Sequence, residues 1–288
     1  MEPATSPTWP APRPSPAARP SPQPAAGGLH LGEWGSELVG TALFVLAGLS
    51  ALALNFSPGS PVLRLVPSAP ARFLLLGALF NGAASLVAVS PLGRRSGGHL
   101  NPAVTLAFWV AGRVHHHDLA GYIGSQLVGG LAGAAIFRVL GPGAATDVGY
   151  GVTRPGPGVG APVAAALEAA LTAALVLVIF AFLSRPQTAR WTPLAAWALA
   201  TVFVWQVAPH TAVSLDPARS LGPALVARDA TDQWVYVAGP LAGALLAAIA
   251  WRVLPFGLVT AKLFHDPGYP SVLACDLPAM PVPQRVPS

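Results

Sequence analysis

Two short units in this chain carry a pattern with a definite local chemistry. Asn101-Pro102-Ala103 and Asp216-Pro217-Ala218 stand 115 residues apart. An Asn or Asp ahead of Pro starts a helix, because the side-chain oxygen caps an orphan backbone N–H and Pro fits the first helical position. Each unit should therefore open a short helix. Ionisable residues sit near these units in otherwise apolar surroundings: Glu37 with Thr41, Glu168 with Thr172, His99 two residues before Asn101, and Arg219 three residues after Asp216. A charge inside an apolar span is costly enough that a specific partner is expected for Glu37 and for Glu168. His115-His116-His117 offers imidazoles that could ligate nickel or zinc, but is read as a solvated loop, with no metal site assigned. The single cysteine, Cys275, excludes a disulfide framework, an iron–sulfur cluster or a Cys-based zinc site.

The elements that must position these residues follow from composition. Of 288 residues, 53% are hydrophobic and 9% charged, and mean hydropathy is +0.57, whereas a soluble domain carries about a quarter charged residues. Nearly charge-free runs cover 38–54, 73–93, 119–137, 155–184 (broken by Glu168), 191–209 and 233–251. Each approaches the roughly 20 residues a spanning helix needs. The chain is thus read as an all-α polytopic membrane protein with six spanning helices. Two further segments, 96–112 and 210–227, are too rich in Pro and Gly for full spans, and each contains one Asx-Pro-Ala unit. They read as re-entrant half-helices. Residues 1–30 are read as a disordered Pro-rich tail, 31–255 as the membrane domain, and 256–288 as a second flexible Pro-rich tail. The net charge of +5 does not point to nucleic acid, because the basic residues are scattered between the apolar runs.

The membrane domain repeats itself, with a first half at about 31–140 and a second at about 162–255. Glu37 and Thr41, Asn101-Pro102-Ala103 and Tyr122-x3-Gln126-Leu127-x-Gly129 are matched by Glu168 and Thr172, Asp216-Pro217-Ala218 and Tyr236-x3-Pro240-Leu241-x-Gly243. Consecutive halves of three helices each must face opposite ways across the membrane, which makes an inverted repeat. The half-helices then enter from opposite sides and bring their positive ends together. Irregular backbone at that depth has to line a polar or water-filled cavity. Gly129, Gly133, Gly239 and Gly243, at four-residue spacing, read as close helix contacts, and Leu140 to Pro162 as the connection between halves. Placing both tails inside puts ten basic residues there and five outside, which favours cytoplasmic termini. Ala-, Arg- and Pro-rich usage with a single lysine points to a GC-rich bacterial source.

Ser96-Gly97-Gly98-His99-Leu100-Asn101-Pro102-Ala103-Val104-Thr105, then Asp216-Pro217-Ala218-Arg219-Ser220, and Trp234-Val235-Tyr236 opening the last span resemble the aquaporin or major intrinsic protein family. The resemblance covers about 31–255. It implies a right-handed bundle of six helices and two half-helices in the cell membrane, one pore per subunit, and a homotetramer. It also implies passive flow of water or small uncharged solutes (glycerol, urea, neutral metalloid acids), with protons and ions excluded, no cofactor and no enzymatic activity. By position, Asn101 resembles the midplane donor and Arg219 the arginine of the constriction, while Glu37, Glu168 and His99 would support the loops. Counting back along the family pattern adds Asn81, Val204 and Val213 to the constriction, and without rings that aperture should be wide. The family has Asn where this chain has Asp216, an acceptor without a donor when ionised. Asp216 and Arg219 are expected to neutralise each other in part, keeping ions out. A cation-permeable pore or a coupled transporter using Asp216 is the alternative.

Overall fold

The computed structural model describes residues 28–269 and 271–277. The 1–27 part of the Pro-rich tail and residues 278–288 lie outside the described residues. The first half comprises α1 (Leu31–Phe56), α2 (Pro61–Leu65), α3 (Ala69–Val89), α4 (Pro91–Ser96), α5 (Pro102–Val110) and α6 (His116–Leu140). A connection follows, containing α7 (Pro142–Asp147) and a 3-10 turn at Gly149–Gly151. The second half comprises α8 (Ala161–Leu183), α9 (Pro186–Ala189), α10 (Thr192–Thr211), α11 (Pro217–Ala227) and α12 (Val235–Arg252). Among the described residues, α1, α3, α6, α8, α10 and α12 are long and apolar enough to cross a membrane. The remaining two of the eight principal helices, α5 and α11, start at Pro102 and Pro217 with Asn101 and Asp216 as caps. Both starts obey the local rule read from the sequence.

The spanning helices run alternately, so α1 begins and α12 ends on one side, here termed the terminal face. Each half-helix packs on the third helix of the other half, α5 on α12 and α11 on α6, and α3 packs on α10. The two halves are therefore interlocked. The tightest contacts within each half are α1 with α6 and α8 with α12. A Cβ added to Gly129 would lie 2.4 Å from the Leu38 carbonyl oxygen, and one added to Gly243 would lie 2.0 Å from that of Ala169. These are equivalent contacts: Leu38 follows Glu37, and Ala169 follows Glu168. Small residues at these crossings bring each buried acid within reach of its loop.

The reading of 256–288 as a flexible tail requires correction over its described residues, 256–269 and 271–277. Residues from Leu258 to Asp276 fold back as an extended hairpin on the terminal face, with Thr260 and Cys275 in antiparallel register. Ala261 N donates to Ala274 O at 3.2 Å, and Asp276 N to Val259 O at 2.8 Å. The hairpin bonds to the helices' ends through Val259 N to Leu183 O (2.9 Å), Leu263 N to Gly97 O (2.9 Å) and Ala274 N to Arg113 O (3.1 Å). Leu258, Ala261, Leu263, Leu273 and Ala274 are buried. So is the Lys262 side chain, whose ammonium donates to Arg94 O at 2.6 Å. Burial holds the Lys262 pKa below the ordinary lysine value.

Gly243→Ala should force α8 and α12 apart and cost about 1–3 kcal/mol, seen as a lower melting temperature in detergent. Gly124→Ala, where an added Cβ meets nothing within 4 Å, should leave the melting temperature unchanged.

Candidate functional site

Each half-helix is preceded by a stretch of irregular backbone, and in each case a buried glutamate supplies the missing partners. Glu37 Oε1 accepts from Ser96 Oγ (2.6 Å) and His99 N (3.1 Å), and Oε2 from Leu100 N (2.6 Å) and Gln126 Nε2 (2.8 Å). Glu168 accepts from Ser214 N (3.0 Å to Oε1) and from Leu215 N (2.8 Å to Oε2). Leu100 and Leu215 hold the equivalent left-handed conformation, φ 53° and 60°. A non-glycine residue there costs of order 1–3 kcal/mol and persists only when its surroundings enforce it. The carboxylates do so by bonding the very N–H groups that the unusual φ turns inward.

The caps then meet. Asn101 Oδ1 accepts from Ala103 N at 2.7 Å, and Asp216 Oδ1 from Ala218 N at 2.8 Å. Asn101 Nδ2 donates to Leu215 O at 2.8 Å, bridging the two re-entrant loops. Asp216 Oδ2 is buried and has no hydrogen-bond partner. On the terminal-face side lies a cavity of about 90 Å³, with Asn101, Asp216, His99, Ser214 and Leu263 among its lining residues. Towards the opposite face lies one of about 40 Å³, lined by Asn81, Val204, Val213, Ser214 and Arg219 among others. Phe44, Asn81 and Ser214 line both, so the two cavities adjoin at the half-helix tips.

One cavity is thus lined by Asn81, Val204, Val213 and Arg219, the four positions counted along the family pattern. Arg219 and Asp216 do not touch: the guanidinium donates through Nη1 to Gly151 O at 2.9 Å and lies 5.1 Å from the Phe80 ring centroid, while the two opposite charges still act on each other across the helix tip. The backbone direction of α11 sends the arginine towards the opposite face while the capping acid stays at the helix tip. One expectation fails: the cavity lined by the four counted positions was expected to be free of rings, but Phe44 and Phe80 line it too, edge to face at 5.3 Å. Counting back to a single position selected Asn81 and passed over Phe80 beside it. The connection between halves likewise does more than link them, since Gly151 receives Arg219 and Thr153 Oγ1 donates to Ser220 Oγ at 2.9 Å.

Comparison with known proteins agrees with this geometry. The major intrinsic protein family model matches residues 29–251. The chain belongs to that family. It is 35% identical over 223 residues to the lens fiber major intrinsic protein of Gallus gallus, covering 76% of this chain and 79% of that protein. It is also 35% identical over 238 residues to aquaporin TIP4-4 of Zea mays, covering 81% and 88%. Among solved structures, the aquaglyceroporin from Plasmodium falciparum superimposes with a TM-score of 0.64 at 18% identity, over 78% of this chain and 97% of that one. That likeness concerns the fold.

His99 completes the terminal-face side of this major intrinsic protein. Its ring stacks on Phe108 at 4.7 Å, Nδ1 lies 3.2 Å from Thr105 Oγ1, and Nε2 donates to Ala261 O of the C-terminal hairpin at 2.8 Å. Neither the hairpin nor its Leu263 in the lumen has a spanning-run signature in the sequence.

Glu168→Gln removes the charge that accepts the loop's N–H groups. Hydrogen bonds to charged groups contribute about 1.5–3 kcal/mol each, so a lower melting temperature and reduced permeability are expected together. A chain ending at Pro255 lacks Leu263, which lines the terminal-face cavity, and its osmotic permeability per protomer should rise about twofold or more. Stopped-flow light scattering of proteoliposomes reads both.

Proposed function

We propose that the lumen between the half-helices passes water, and small uncharged solutes more slowly, and excludes protons and ions. The observation that supports this most is the meeting of two capped helix starts over adjoining cavities, bridged by the bond from Asn101 to Leu215 O. The positive ends of α5 and α11 face the same point, where a cation or a proton-carrying water file is opposed by both. Arg219 adds a fixed charge nearer the opposite face, its guanidinium held by Gly151 O and by the face of Phe80. Asn101, Pro102, Ala103, Asp216, Pro217 and Ala218 form the midplane in this reading. Asn81, Val204, Val213 and Arg219, joined by Phe44 and Phe80, form the constriction. The two rings occupy volume that Asn81, Val204 and Val213 alone would leave open, which places water ahead of glycerol, urea and neutral metalloid acids.

Asp216 fits this role in its neutral form. A carboxylic acid accepts at one oxygen and donates from the other, the same set an asparagine amide offers. Oδ1 already accepts the cap bond, and the unpartnered Oδ2 is the atom left to meet a lumen water. The terminal face is assigned to the cytoplasm by the ten-to-five split of basic residues, and the cell membrane and a tetrameric assembly follow from the family resemblance.

Proteoliposomes shrinking after an osmotic step decide the matter. Shrinkage much faster than in empty vesicles is expected, and none would overturn the channel reading. Phe80→Ala should raise glycerol and urea re-entry about tenfold relative to water, because an emptied ring leaves a wider passage with fewer apolar contacts. Asp216→Asn should keep water flux within about twofold, since the amide reproduces the neutral acid's donor and acceptor. A large loss, or a cation current in the wild type that the variant abolishes, would show that the charged form works in the pore.

A further inference from the structure

The histidine triplet is not the solvated loop that its sequence indicates. His116 is exposed, but His115 and His117 are half-buried, and His115 caps α6. Beside them Asp118 is fully buried, and His30, at the start of α1, meets it from 88 residues away. We propose that His30, His117 and Asp118 form a binding site for a divalent transition-metal cation of the zinc type, tying the start of α1 to the start of α6 on the terminal face.

One donor atom from each of the three residues lies within 4.8 Å of the other two. Asp118 Oδ1 is fully engaged, accepting from His30 Nδ1 at 2.7 Å and from Trp34 Nε1 at 2.9 Å. Its other oxygen, Oδ2, is buried without a partner, and so is His117 Nε2. These two orphans are 3.5 Å apart.

The tautomer of His117 follows from its neighbours. His115 Nδ1 accepts the His117 backbone N–H as the helix cap, so it is a lone-pair nitrogen. His117 Nδ1, in close contact with it, must then carry the ring proton and donate. Nε2 of the neutral ring is left as a second lone pair aimed at Asp118 Oδ2. Two lone pairs facing each other in a buried gap call for a cation between them. A proton on Nε2 would draw the pair to the roughly 2.7–2.9 Å of a charge-assisted hydrogen bond. The observed 3.5 Å is instead close to the edge of a zinc tetrahedron, about 3.4 Å for bonds near 2.05 Å.

The surroundings match what metal-bound imidazole and carboxylate need. His115 orients His117 through the nitrogen not facing the gap, and Trp34 holds the carboxylate oxygen left over. His30 joins by giving up its bond to Asp118: the Nδ1 proton is released to solvent or moves through solvent to Nε2, the freed Nδ1 lone pair turns to the metal, and water completes the fourth position. Two imidazoles and one carboxylate select zinc, cobalt or nickel over magnesium and calcium, which take oxygen donors. The site lies apart from the lumen-lining residues, so its effect is to clamp the helix starts.

The test uses the full chain, purified with a histidine-free affinity tag and stripped with a chelator. Titration with Co2+ should give the visible bands of four-coordinate cobalt at one ion per protomer, displaced by Zn2+ and not by Mg2+. His117→Gln and Asp118→Asn should each weaken binding at least tenfold, while His116→Gln leaves it intact. Binding should also survive Cys275→Ser, because Cys275 and His265, 3.3 Å apart, form a separate soft donor pair. Absence of saturable binding, retention in both His117→Gln and Asp118→Asn, or loss in Cys275→Ser would overturn the assignment. Labelling of the unaltered chain with diethyl pyrocarbonate needs no variant: Zn2+ should shield His30 and His117 but not His116, and equal labelling with and without Zn2+ would overturn it too.

Discussion

Two buried carboxylates make the rest of this structure possible. A re-entrant loop brings backbone N–H groups into a region without water, where each unpaired group costs several kcal/mol. Glu37 and Glu168 meet that demand with acceptors, and the loops in turn meet the demand of the carboxylates for donors. Either partner alone would be prohibitively placed. Together they fix Leu100 and Leu215 in a left-handed conformation, which turns the chain sharply enough for Asn101 and Asp216 to start helices pointing away from each other.

Packing follows from the same requirement. For a glutamate to reach its loop, the helix that carries it must lie hard against its neighbour, and Gly129 and Gly243 remove the side chains that would prevent this. The equivalent placement of these contacts, one residue after each glutamate, shows that the repeat conserves a mechanical unit of acid, close crossing and strained loop. The twofold likeness ends where the lumen needs asymmetry. The position matching Arg219 in the first half is Val104, and that matching Asp216 is Asn101.

Much of this was legible in the sequence because each signal is local. A spanning helix declares itself by the length of an apolar run, a half-helix by its Asx-Pro start, and a buried acid by isolation within a run. The inverted repeat needed only the spacing of Glu37 and Glu168 and of the two Asx-Pro-Ala units. What escaped depends on contacts that no spacing encodes. Phe80 is one residue from a position chosen by counting, and only the folded chain shows its ring beneath the Arg219 guanidinium. The C-terminal hairpin has too short a run to register as a membrane element and too many prolines to register as order, yet its apolar residues are buried against the helix ends. His30 and Asp118 are separated by 88 residues, so their meeting with His117 was invisible along the chain.

The two segments least legible in the sequence are tied in by the same device. On the terminal-face side His99, from the first re-entrant loop, donates to Ala261 O of the hairpin at 2.8 Å. On the opposite side Arg219, from the second half-helix, donates to Gly151 O of the connection at 2.9 Å. In each case a side chain beside the lumen saturates a carbonyl of a segment outside the repeat. A hydrogen bond of this kind shields a backbone acceptor that would otherwise be buried unpaired, and fixes the rotamer of the side chain that makes it. The repeat supplies the tube, and the two appended segments set the positions of the cationic and aromatic groups at its ends. In the proposed pore, the position of Arg219 therefore depends on the connection between the halves as much as on the helices that carry Asn81, Val204 and Val213.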